Sequence, residues 1–269
     1  MSEPLFERLK AHLRTQVPGG VALAFSGGVD STVLLAVLRA LRDETGFPLL
    51  AVHFQSNLQT PDERAEAERL AAQQGVELVV LDFDPLAIPG FADNPPDRCH
   101  RCKRRLFQSF VEFARRRGLA AVFDGTNADD AQQHRPGRRA LAECGVRSPF
   151  EDLGIGKAQV RAMAAWLGLD VATKPASPCL ATRFPYGARI DAQALERVAK
   201  GEGELRALLG AGGNLRLRVH DDLARVEIDS AAMPAALEKR ASIAAALRAL
   251  GFKYVALDLD GFRSGSLDE

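Results

Sequence analysis

The sequence has no net charge and no long run of apolar residues. Its 35 lysines and arginines balance 35 aspartates and glutamates, so charge gives no indication of bulk binding to nucleic acid or to membranes. No apolar stretch approaches the roughly 20 residues of a membrane-spanning helix. The opening stretch, MSEPLFERLKAHLRTQ, has early acids and an amphipathic pattern instead of a signal region, which predicts a cytoplasmic protein.

Cysteine is scarce as well, with four residues in the chain. In a cytoplasmic protein these cysteines are expected to be metal-binding, catalytic or buried instead of disulfide-bonded. Apolar residues, by contrast, make up 46% of the 269 residues, and charged residues make up 26%. This composition is sufficient for a full hydrophobic core and predicts one large domain with a smaller one.

The glycine-rich stretch FSGGVDSTVLLAVL, residues 25–38, lacks the lysine of the common P-loop. It lies between a strand-like run, VALAF, and a helix-like run, so the first amides of the helix would form an anion site. In the common P-loop a lysine follows the second glycine and reaches the phosphates, whereas here Gly28 is followed by Val29, Asp30 and Ser31. That order excludes a P-loop GTPase or kinase.

The small residues and the acid of this loop indicate a nucleotide that is held together with its metal. Ser26, Gly27 and Gly28 let the backbone approach a ligand closely, and Ser31 adds a hydroxyl in the first helical turn. Asp30 would repel phosphate unless a divalent cation lies between them. This combination predicts a nucleotide that is cleaved to release pyrophosphate. The alternative is an ordinary N-capped helix after a tight turn.

Four strand-like runs alternate with helical patterns, which is typical of an α/β fold with a parallel sheet. The predicted strands are residues 21–25, 49–54, 76–83 and 120–123. In a doubly wound sheet the ligand lies beyond the carboxyl ends of the strands. We therefore predict that residues 26–31, 53–57 and 125–130 lie together. At His53, near the end of a predicted strand, we expect the backbone to contribute more to the site than the imidazole ring.

The stretch ATKPASPCLATRFPYGARI separates this pattern from a different one. Its three prolines and one glycine exclude regular structure, and such a loop is usually functional or a linker. After it we predict a helix, two strands, a helix and a strand, at residues 191–209, 215–219, 224–228, 234–250 and 254–259. The predicted domains are therefore a nucleotide-binding domain over residues 1–184 and a small α+β domain over residues 185–269.

Three of the four cysteines are candidates for sulfur or metal chemistry. Cys99 and Cys102 form a CxxC pair that could share a metal, while basic neighbours such as Lys103 would favour thiolates or suit a phosphate-bearing substrate. Zinc prefers four ligands, whereas an iron-sulfur cluster can be held by three cysteines. The pair could equally be a redox pair. Cys179, in the proline-rich loop, ranks first as the reactive sulfur, and Cys144 is most simply a small buried hydrophobe.

Several motifs together resemble one known family. SGGVDS resembles the N-type ATP pyrophosphatases, which include GMP, NAD and asparagine synthetases and tRNA sulfur transferases. Within that group the LarE family is similar to this chain nearly end to end, through NPPDRCHRCK, DGTNADD, RRALAECGVRSPF, SPCLATRFPYGARI, LRVHDDLARVEI and GFRSGSLDE. These are the ATP-dependent sulfur transferases that make the nickel-pincer cofactor of lactate racemase.

The resemblance implies a fold, a substrate and a reaction. The fold would be an adenine nucleotide alpha hydrolase-like, or PP-loop, parallel sheet flanked by helices, with a smaller C-terminal α+β domain. The enzyme would adenylate a carboxylate of pyridinium-3,5-biscarboxylic acid mononucleotide with loss of pyrophosphate and convert it to a thiocarboxylic acid. The family also suggests a homo-oligomer, such as a hexamer.

The resemblance also implies roles for single residues. Asp30 would help to hold magnesium, and Cys179 matches the sulfur donor of the family. Nucleotide contacts are predicted from Ser26, Gly27, Gly28, Val29, Asp30, Ser31, His53, Gly125, Thr126 and Asn127. Phosphate contacts on the substrate or on AMP are predicted from Lys103, Arg183, Arg216, Arg218 and Arg263, with support from Glu202 and Glu227. The predicted catalytic residues are Cys179, Asp30, Lys103 and Arg183.

Two routes of sulfur delivery follow from the cysteines. Some members of the family give up the sulfur of the cysteine itself and are left with dehydroalanine, and those members lack the CxxC. Here Cys99, Cys102 and Cys179 are all present, as in relatives that resemble three-cysteine, 4Fe-4S-dependent tRNA thiolation enzymes. We therefore predict a 4Fe-4S cluster on these three residues, in addition to ATP and magnesium, with sacrifice of Cys179 as the alternative.

Other functions compete with this interpretation. A tRNA thiolation enzyme would need a basic RNA-binding surface, and the net charge of +0 argues against one. An amidotransferase-type synthetase would leave the three cysteines without a role. A nucleotide sensor without catalysis would release no pyrophosphate with any candidate carboxylate.

Overall fold

The chain folds as two compact units. The computed structural model describes residues 2–60, 62–132, 136–174, 178–210, 212–263 and 265–267. The first unit comprises Met1–Ser56, Pro61–Phe83 and Asp97–Ala176, and the second comprises Asn57–Thr60, Asp84–Pro96 and Ser177–Glu269. Two short early segments thus belong to the second unit. The assignment of domains to residues 1–184 and 185–269 stays a prediction.

A parallel sheet of four strands forms the centre of the first unit, as the alternating pattern predicts. Its strands are β1 (Val21–Ala24), β2 (Leu49–Gln55), β3 (Leu78–Asp82) and β4 (Ala121–Phe123). They run parallel in the order β3-β2-β1-β4, with Val21 in register with both Leu49 and Ala121. The direction of winding reverses between β1 and β4, so a ligand is expected beyond the carboxyl ends of these two strands.

Helices cover both faces of this sheet. They are α1 (Ser2–Arg14), α2 (Val29–Thr45), α3 (Asp62–Gln73), α4 (Arg98–Arg116), α5 (Ala128–Gln132), α6 (Pro136–Glu143), α7 (Pro149–Asp152) and α8 (Lys157–Trp166). Among the described residues, no helix is long and apolar enough to cross a membrane.

Helix α2 is the most deeply buried of these elements because its sequence is apolar on several sides. Val33, Leu34, Val37, Leu38 and Leu41 are all 0% exposed, and burial of each stabilises the fold by about 1.5–3 kcal/mol. The helix ends at Gly46, whose φ of 76° is left-handed and suits glycine. The opposite face of the sheet packs against Phe107 and Phe110 of α4.

The second unit is a small α+β structure, as predicted. Its strands β5 (Leu215–His220), β6 (Leu223–Ile228) and β7 (Tyr254–Leu257) form a sheet in which β5 is antiparallel and β7 parallel to β6. Its helices are α9 (Ala192–Leu209), α10 (Met233–Glu238) and α11 (Arg240–Ala249). A Cβ at Gly201 would lie 2.4 Å from Leu217 Cδ2, so glycine lets α9 approach the sheet closely.

An early segment is held firmly inside this second unit. Asn94 is fully buried, and its side-chain amide donates to the carbonyls of Phe184 and Pro185 at 3.2 and 2.7 Å. The Ile190 amide donates to the Ala92 carbonyl at 2.7 Å. These bonds explain why residues 84–96 belong with the later part of the chain.

Two predicted elements differ from the structure. The predicted irregular loop contains a 3₁₀ turn, Leu180–Arg183. The predicted helix over residues 234–250 is divided into α10 and α11, because Lys239 has a ψ of 11°. The Lys239 ammonium donates to the Leu208 carbonyl in the last turn of α9, where a cation is favourable.

Candidate functional site

The loop between β1 and α2 is a tight turn that only glycine permits. Gly27 has a φ of 69°, and a Cβ there would lie 3.3 Å from Ala67 Cα of α3. Two serines fix the turn: Ser26 Oγ accepts from the Gly28 amide at 3.3 Å, and Ser31 Oγ donates to the Gly28 carbonyl at 3.2 Å. The N-cap is Gly28 itself, which has no side chain to cap the helix. The first amides of α2 therefore suit an anion better than the ordinary capped helix would.

The loop after β4 lies directly against this turn. A Cβ at Gly125 would come within 2.9 Å of the Ser31 backbone nitrogen, so glycine is needed for the approach. Asn127 Nδ2 donates to Asp30 Oδ1 at 3.2 Å, and Asn127 Oδ1 accepts from the Asp129 amide at 3.0 Å. The structure thus brings together two of the segments that the strand ends predict to be neighbours.

Asp124 fixes the loop after β4 through hydrogen bonds to side chains. The sequence analysis did not predict this role. The carboxylate accepts hydrogen bonds from the hydroxyls of Thr126 and Ser148, each at 2.5 Å. Burial raises the pKa of Asp124 above its ordinary value, and the two hydroxyls and the charge of Lys103 oppose that shift. The hydroxyl of Thr126, a predicted nucleotide contact, is therefore engaged with Asp124.

Two lysines reach the glycine-rich loop from distant parts of the first unit. The Lys157 ammonium contacts Asp30 Oδ2, and the Lys157 amide donates to Asp129 Oδ2 at 2.7 Å. The Lys174 ammonium donates to the Gly27 carbonyl at 3.1 Å and lies 3.4 Å from Glu66 Oε1. Neither lysine was found by motif spacing, because each lies more than a hundred residues from its loop partner along the chain.

The ring of His53 contacts the start of the glycine-rich turn, and the expectation that its backbone matters more than its ring stays a prediction. The side chain is 1% exposed, and Nδ1 lies 3.0 Å from the Phe25 carbonyl. The ring therefore fixes the carbonyl at the start of the glycine-rich turn. Contact between His53 and a nucleotide stays a prediction.

Cys99 and Cys102 lie near the N-terminus of α4 in the first unit. Both thiols are half-buried, and their spacing of three residues places them on one face of the helix. His100 points elsewhere: it is 7% exposed, and its Nε2 lies 2.9 Å from Arg139 Nη2. The aliphatic chain of Lys103 packs against Gly137, where a Cβ would lie 2.5 Å from Lys103 Cδ.

The cysteine pair fits part of an iron-sulfur site. Two thiols on one helical face near a helix N-terminus suit a metal or a cluster chemically. In the described part of either unit, no three His, Cys, Asp or Glu side chains form a ready metal-binding group. Cys179 belongs to the second unit. Cys144 is half-buried beside an apolar cluster, where burial raises the pKa of its thiol.

The backbone around Cys179 is held by a network in the second unit. Cys179 is half-buried and stands at the N-cap of the 3₁₀ turn. Its carbonyl accepts from the Thr182 hydroxyl at 2.8 Å and from Arg183 Nη1 at 3.2 Å, and Arg183 Nη1 also donates to the Pro178 carbonyl at 2.8 Å. On the other side, the Leu180 amide donates to the Leu58 carbonyl at 2.8 Å. The cysteine is therefore presented on a fixed backbone.

Arg183 is fully buried and paired with Glu202. Its Nε and Nη2 donate to the two carboxylate oxygens at 2.8 and 3.0 Å. Glu202 Oε1 also accepts from the Leu217 amide at 3.0 Å. This geometry holds the Cys179 segment in position. The predicted catalytic role of Arg183 and its predicted phosphate contact stay predictions.

The other arginines that were predicted to bind phosphate lie on β5 and near the end of the chain. Arg218 pairs with the buried Glu227 at 2.9 Å. Arg216 is 5% exposed, and burial lowers its pKa to about 10. Its guanidinium lies 5.2 Å from the centre of the Phe262 ring. Arg263, by contrast, is exposed, and its guanidinium lies 3.7 Å from the carboxylate of Asp260.

Comparison with known proteins first shows the class of protein to which this chain belongs. Residues 1–87 match the family model of the PP-loop domain, in agreement with the turn after β1 and the parallel sheet. The chain is 36% identical over 250 residues to the pyridinium-3,5-bisthiocarboxylic acid mononucleotide synthase of Lactiplantibacillus plantarum. The alignment covers 93% of this chain and 89% of that protein. An uncharacterized protein of Synechocystis sp. is 36% identical over 248 residues and covers 91% of both chains.

A similarity to a tRNA-modifying enzyme is weaker. The tRNA-specific 2-thiouridylase of Caulobacter vibrioides is 30% identical over 261 residues, with 78% of this chain and 68% of that protein covered.

The chain belongs to the LarE family of ATP-dependent sulfur-transferring enzymes, as the motifs predicted.

Proposed function

We propose that this enzyme adenylates a carboxylate of pyridinium-3,5-biscarboxylic acid mononucleotide and converts it to a thiocarboxylate for the nickel-pincer cofactor of lactate racemase. The observation that carries the proposal is similarity to the synthase across both units, in a chain whose loops after β1 and β4 meet at Asp30 and Asn127. The first unit would bind ATP, and the second would present the sulfur residue and bind the phosphate of the substrate.

The loop residues fit ATP with magnesium. Amides at the start of α2 and the hydroxyl of Ser31 would bind the phosphates that leave as pyrophosphate. Asp30 would hold the magnesium ion, which supplies charge neutralisation when bound. Asn127 keeps the Asp30 carboxylate in place through its 3.2 Å hydrogen bond.

Adenylation is needed because a free carboxylate resists nucleophiles. A carboxylate oxygen attacks the α-phosphorus of ATP and pyrophosphate leaves, which creates an acyl phosphate with a good leaving group. A sulfur nucleophile then displaces AMP. The carboxylate oxygen gained by the phosphorus leaves with AMP, and the carbon keeps the new bond to sulfur. The buried arginines of the second unit would hold the substrate phosphate, with Glu202 and Glu227 in support.

For the sulfur source we propose a 4Fe-4S cluster on Cys99, Cys102 and Cys179. When bound, the cluster would supply the transferred sulfide. The half-buried thiols on one face of α4 support this proposal, and the fixed backbone of Cys179 is compatible with it. The same fixed, partly exposed Cys179 equally suits sacrifice of its own sulfur, which would leave dehydroalanine.

The reaction is tested by incubating the protein with MgATP and the pyridinium biscarboxylate mononucleotide. We expect release of AMP and pyrophosphate and a thiocarboxylate product detected by mass spectrometry. Pyrophosphate release with tRNA as the only acceptor, with binding that weakens steeply with salt, would instead favour tRNA thiolation. No pyrophosphate with any carboxylate or with tRNA would contradict both enzymatic functions.

The sulfur source is tested by the iron and acid-labile sulfide content of protein purified without oxygen. About four irons per chain are expected in the parent, and few in Cys99→Ala. Cys144→Ala is the matched control, because Cys144 lies outside the proposed ligand set. Absence of iron after anaerobic reconstitution, together with loss of one sulfur from Cys179 after a single turnover, would establish sacrifice.

The family resemblance supports two further proposals about the protein as a whole. We propose a cytoplasmic homo-oligomer, with a hexamer as the expected form. Light scattering of the purified protein measures its mass directly, and a monomer at working concentration would contradict the assembly. Fractionation of cells followed by immunoblotting tests the compartment.

A further inference from the structure

We propose that the C-terminal segment of the chain positions the turn that carries Cys179, and that Ser266 is the residue through which it acts. The segment comprises residues 261–263 and 265–267 of the described chain, and we call it the C-terminal strap. The inference rests on the proposed function, in which Cys179 takes part in sulfur delivery by either route. It adds a positioning residue that is far from Cys179 in the sequence.

The strap lies on a charged face of the second sheet. Arg216 and Arg218 of β5 are opposite Glu227 and Arg225 of β6, respectively. Because side chains alternate along a strand, all four point to the same face. They bring three guanidinium groups and one carboxylate together, so the carboxylate of Glu227 is the shared counter-charge of its neighbours.

A turn after β7 directs the strap onto this face. Gly261 has a φ of 74°, and a Cβ there would lie 2.9 Å from the Ile228 carbonyl, so the turn requires glycine. The Phe262 amide donates to the same carbonyl at 2.8 Å. The centre of the Phe262 ring lies 5.2 Å from the Arg216 guanidinium, within the range of a cation–π interaction. The strap is therefore anchored before it reaches Ser266.

Ser266 joins the strap to the buried carboxylate. Its hydroxyl donates to Glu227 Oε1 at 2.6 Å, and the same oxygen accepts from Arg225 Nη2 at 2.9 Å. The other oxygen, Oε2, accepts from Arg218 Nε at 2.9 Å. Because Glu227 is 0% exposed, its charge is satisfied by these donors and its orientation depends on them. Ser266 therefore helps to orient the carboxylate that holds Arg218.

Arg218 extends the connection to the turn that carries Cys179. Its Nη1 donates to the Thr182 carbonyl at 2.7 Å, and the Thr182 hydroxyl donates to the Cys179 carbonyl at 2.8 Å. All of these residues belong to the second unit. The contacts from Ser266 through Glu227 and Arg218 thus end within one turn of the cysteine. Loss of the Ser266 hydroxyl is expected to loosen this turn and to leave the glycine-rich loop of the first unit unchanged.

The first test is the rate at which iodoacetamide alkylates Cys179 in the metal-free protein, followed by mass spectrometry of peptides. Ser266→Ala should raise this rate by about 2- to 10-fold, the effect of one hydrogen bond. Ser266→Thr keeps the hydroxyl and should stay near the parent. The matched control is Ser242→Ala, which removes an exposed hydroxyl on α11 of the same unit. Cys144 in the first unit is the internal reference, and its rate should not change.

The second test separates the two steps of the proposed reaction in a single turnover at saturating MgATP and mononucleotide. Pyrophosphate release reports adenylation, which the first unit would perform, and thiocarboxylate formation reports sulfur delivery. Ser266→Ala should slow thiocarboxylate formation by a similar factor of about 2 to 10 and leave the rate of pyrophosphate release at the parent value. A defect of the whole protein would slow both steps together.

Several results would overturn the proposal. One is an alkylation rate of Cys179 in Ser266→Ala equal to that in Ser242→Ala. Another is a Ser266→Thr variant that behaves like Ser266→Ala, because the effect would then not come from the hydroxyl. A third is an equal fall of pyrophosphate release and thiocarboxylate formation. Failure of the parent to release pyrophosphate would contradict the proposed function instead, and the alkylation of Cys179 would still test the strap.

Discussion

The buried pair of Arg183 and Glu202 makes a strong prediction about stability. Each side chain is 2% exposed, so replacement of Glu202 by glutamine leaves a guanidinium buried without its counter-charge. The amide of glutamine also places a donor against the donors of Arg183 or of the Leu217 amide. Breaking a buried ion pair from one side costs about 3–5 kcal/mol. We expect Glu202→Gln to lower the unfolding free energy of the second unit by that amount.

The assay is hydrogen exchange of the amides in β5 and β6. The sole tryptophan, Trp166, lies on α8 of the first unit, so its fluorescence would report the other unit. Protection of the β5–β6 ladder should fall in Glu202→Gln. The control is Glu196→Gln on the same helix, which breaks an exposed pair with Lys200 and should leave protection almost unchanged.

Two results bear on the reasoning. If Glu202→Gln loses no more protection than Glu196→Gln, the pair does not stabilise the second unit and the argument fails. The double variant Arg183→Met, Glu202→Leu should recover much of the loss, since an apolar pair of similar volume needs no counter-charge. A double variant as unstable as Glu202→Gln would attribute the loss to packing or to the unpaired Leu217 amide instead of to charge.

Two further predictions concern single positions. Gly201→Ala should destabilise the second unit because its Cβ would lie 2.4 Å from Leu217 Cδ2, whereas Gly203→Ala, which meets nothing within 4 Å on the same helix, should stabilise it by about 0.5–1 kcal/mol. Urea unfolding compares the two. Burial raises the folded-state pKa of Asp124, so the protein should lose stability as pH rises above the ordinary aspartate pKa of about 3.9. This loss of stability with rising pH should be absent from Asp124→Asn.

Contrary results would be informative for the two glycine variants and for the pH series on Asp124. Equal effects of alanine at positions 201 and 203 would show that α9 can shift away from β5 without cost. For the pH series, the unfolding free energy of the parent minus that of Asp124→Asn should fall as pH rises through the raised pKa. A difference that rises with pH would mean that the two hydroxyls outweigh burial.

The fold was predictable because its signals are local. Four apolar runs at regular intervals, each followed by a helical pattern, are sufficient to indicate a parallel sheet. The glycine-rich turn was predictable for the same reason, since Ser26, Gly27 and Gly28 are consecutive. Their neighbour Gly125 followed from a general property of parallel strands, whose carboxyl ends share one edge of the sheet.

The lysines of the site were not predictable because their partners are remote in the chain. Lys157 and Asp30 are 127 residues apart, and Lys174 and Gly27 are 147 residues apart. Arg183 shows a second reason. An arginine four residues after Cys179 looks the same in a sequence whether it faces a phosphate or a buried glutamate, and only the packing of α9 and β5 distinguishes the two.

The second unit combines segments that are distant in the chain, and this has a consequence for synthesis on the ribosome. Asn94 and Phe184, which bond to each other, are 90 residues apart in the chain. At about 5–20 residues per second, the early segment waits roughly 5 to 20 seconds before its partner exists. During that time Phe91, which is 1% exposed in the finished unit, is present without the later residues of that unit. A nascent chain paused between these positions is therefore expected to recruit chaperones until residue 184 and its neighbours emerge.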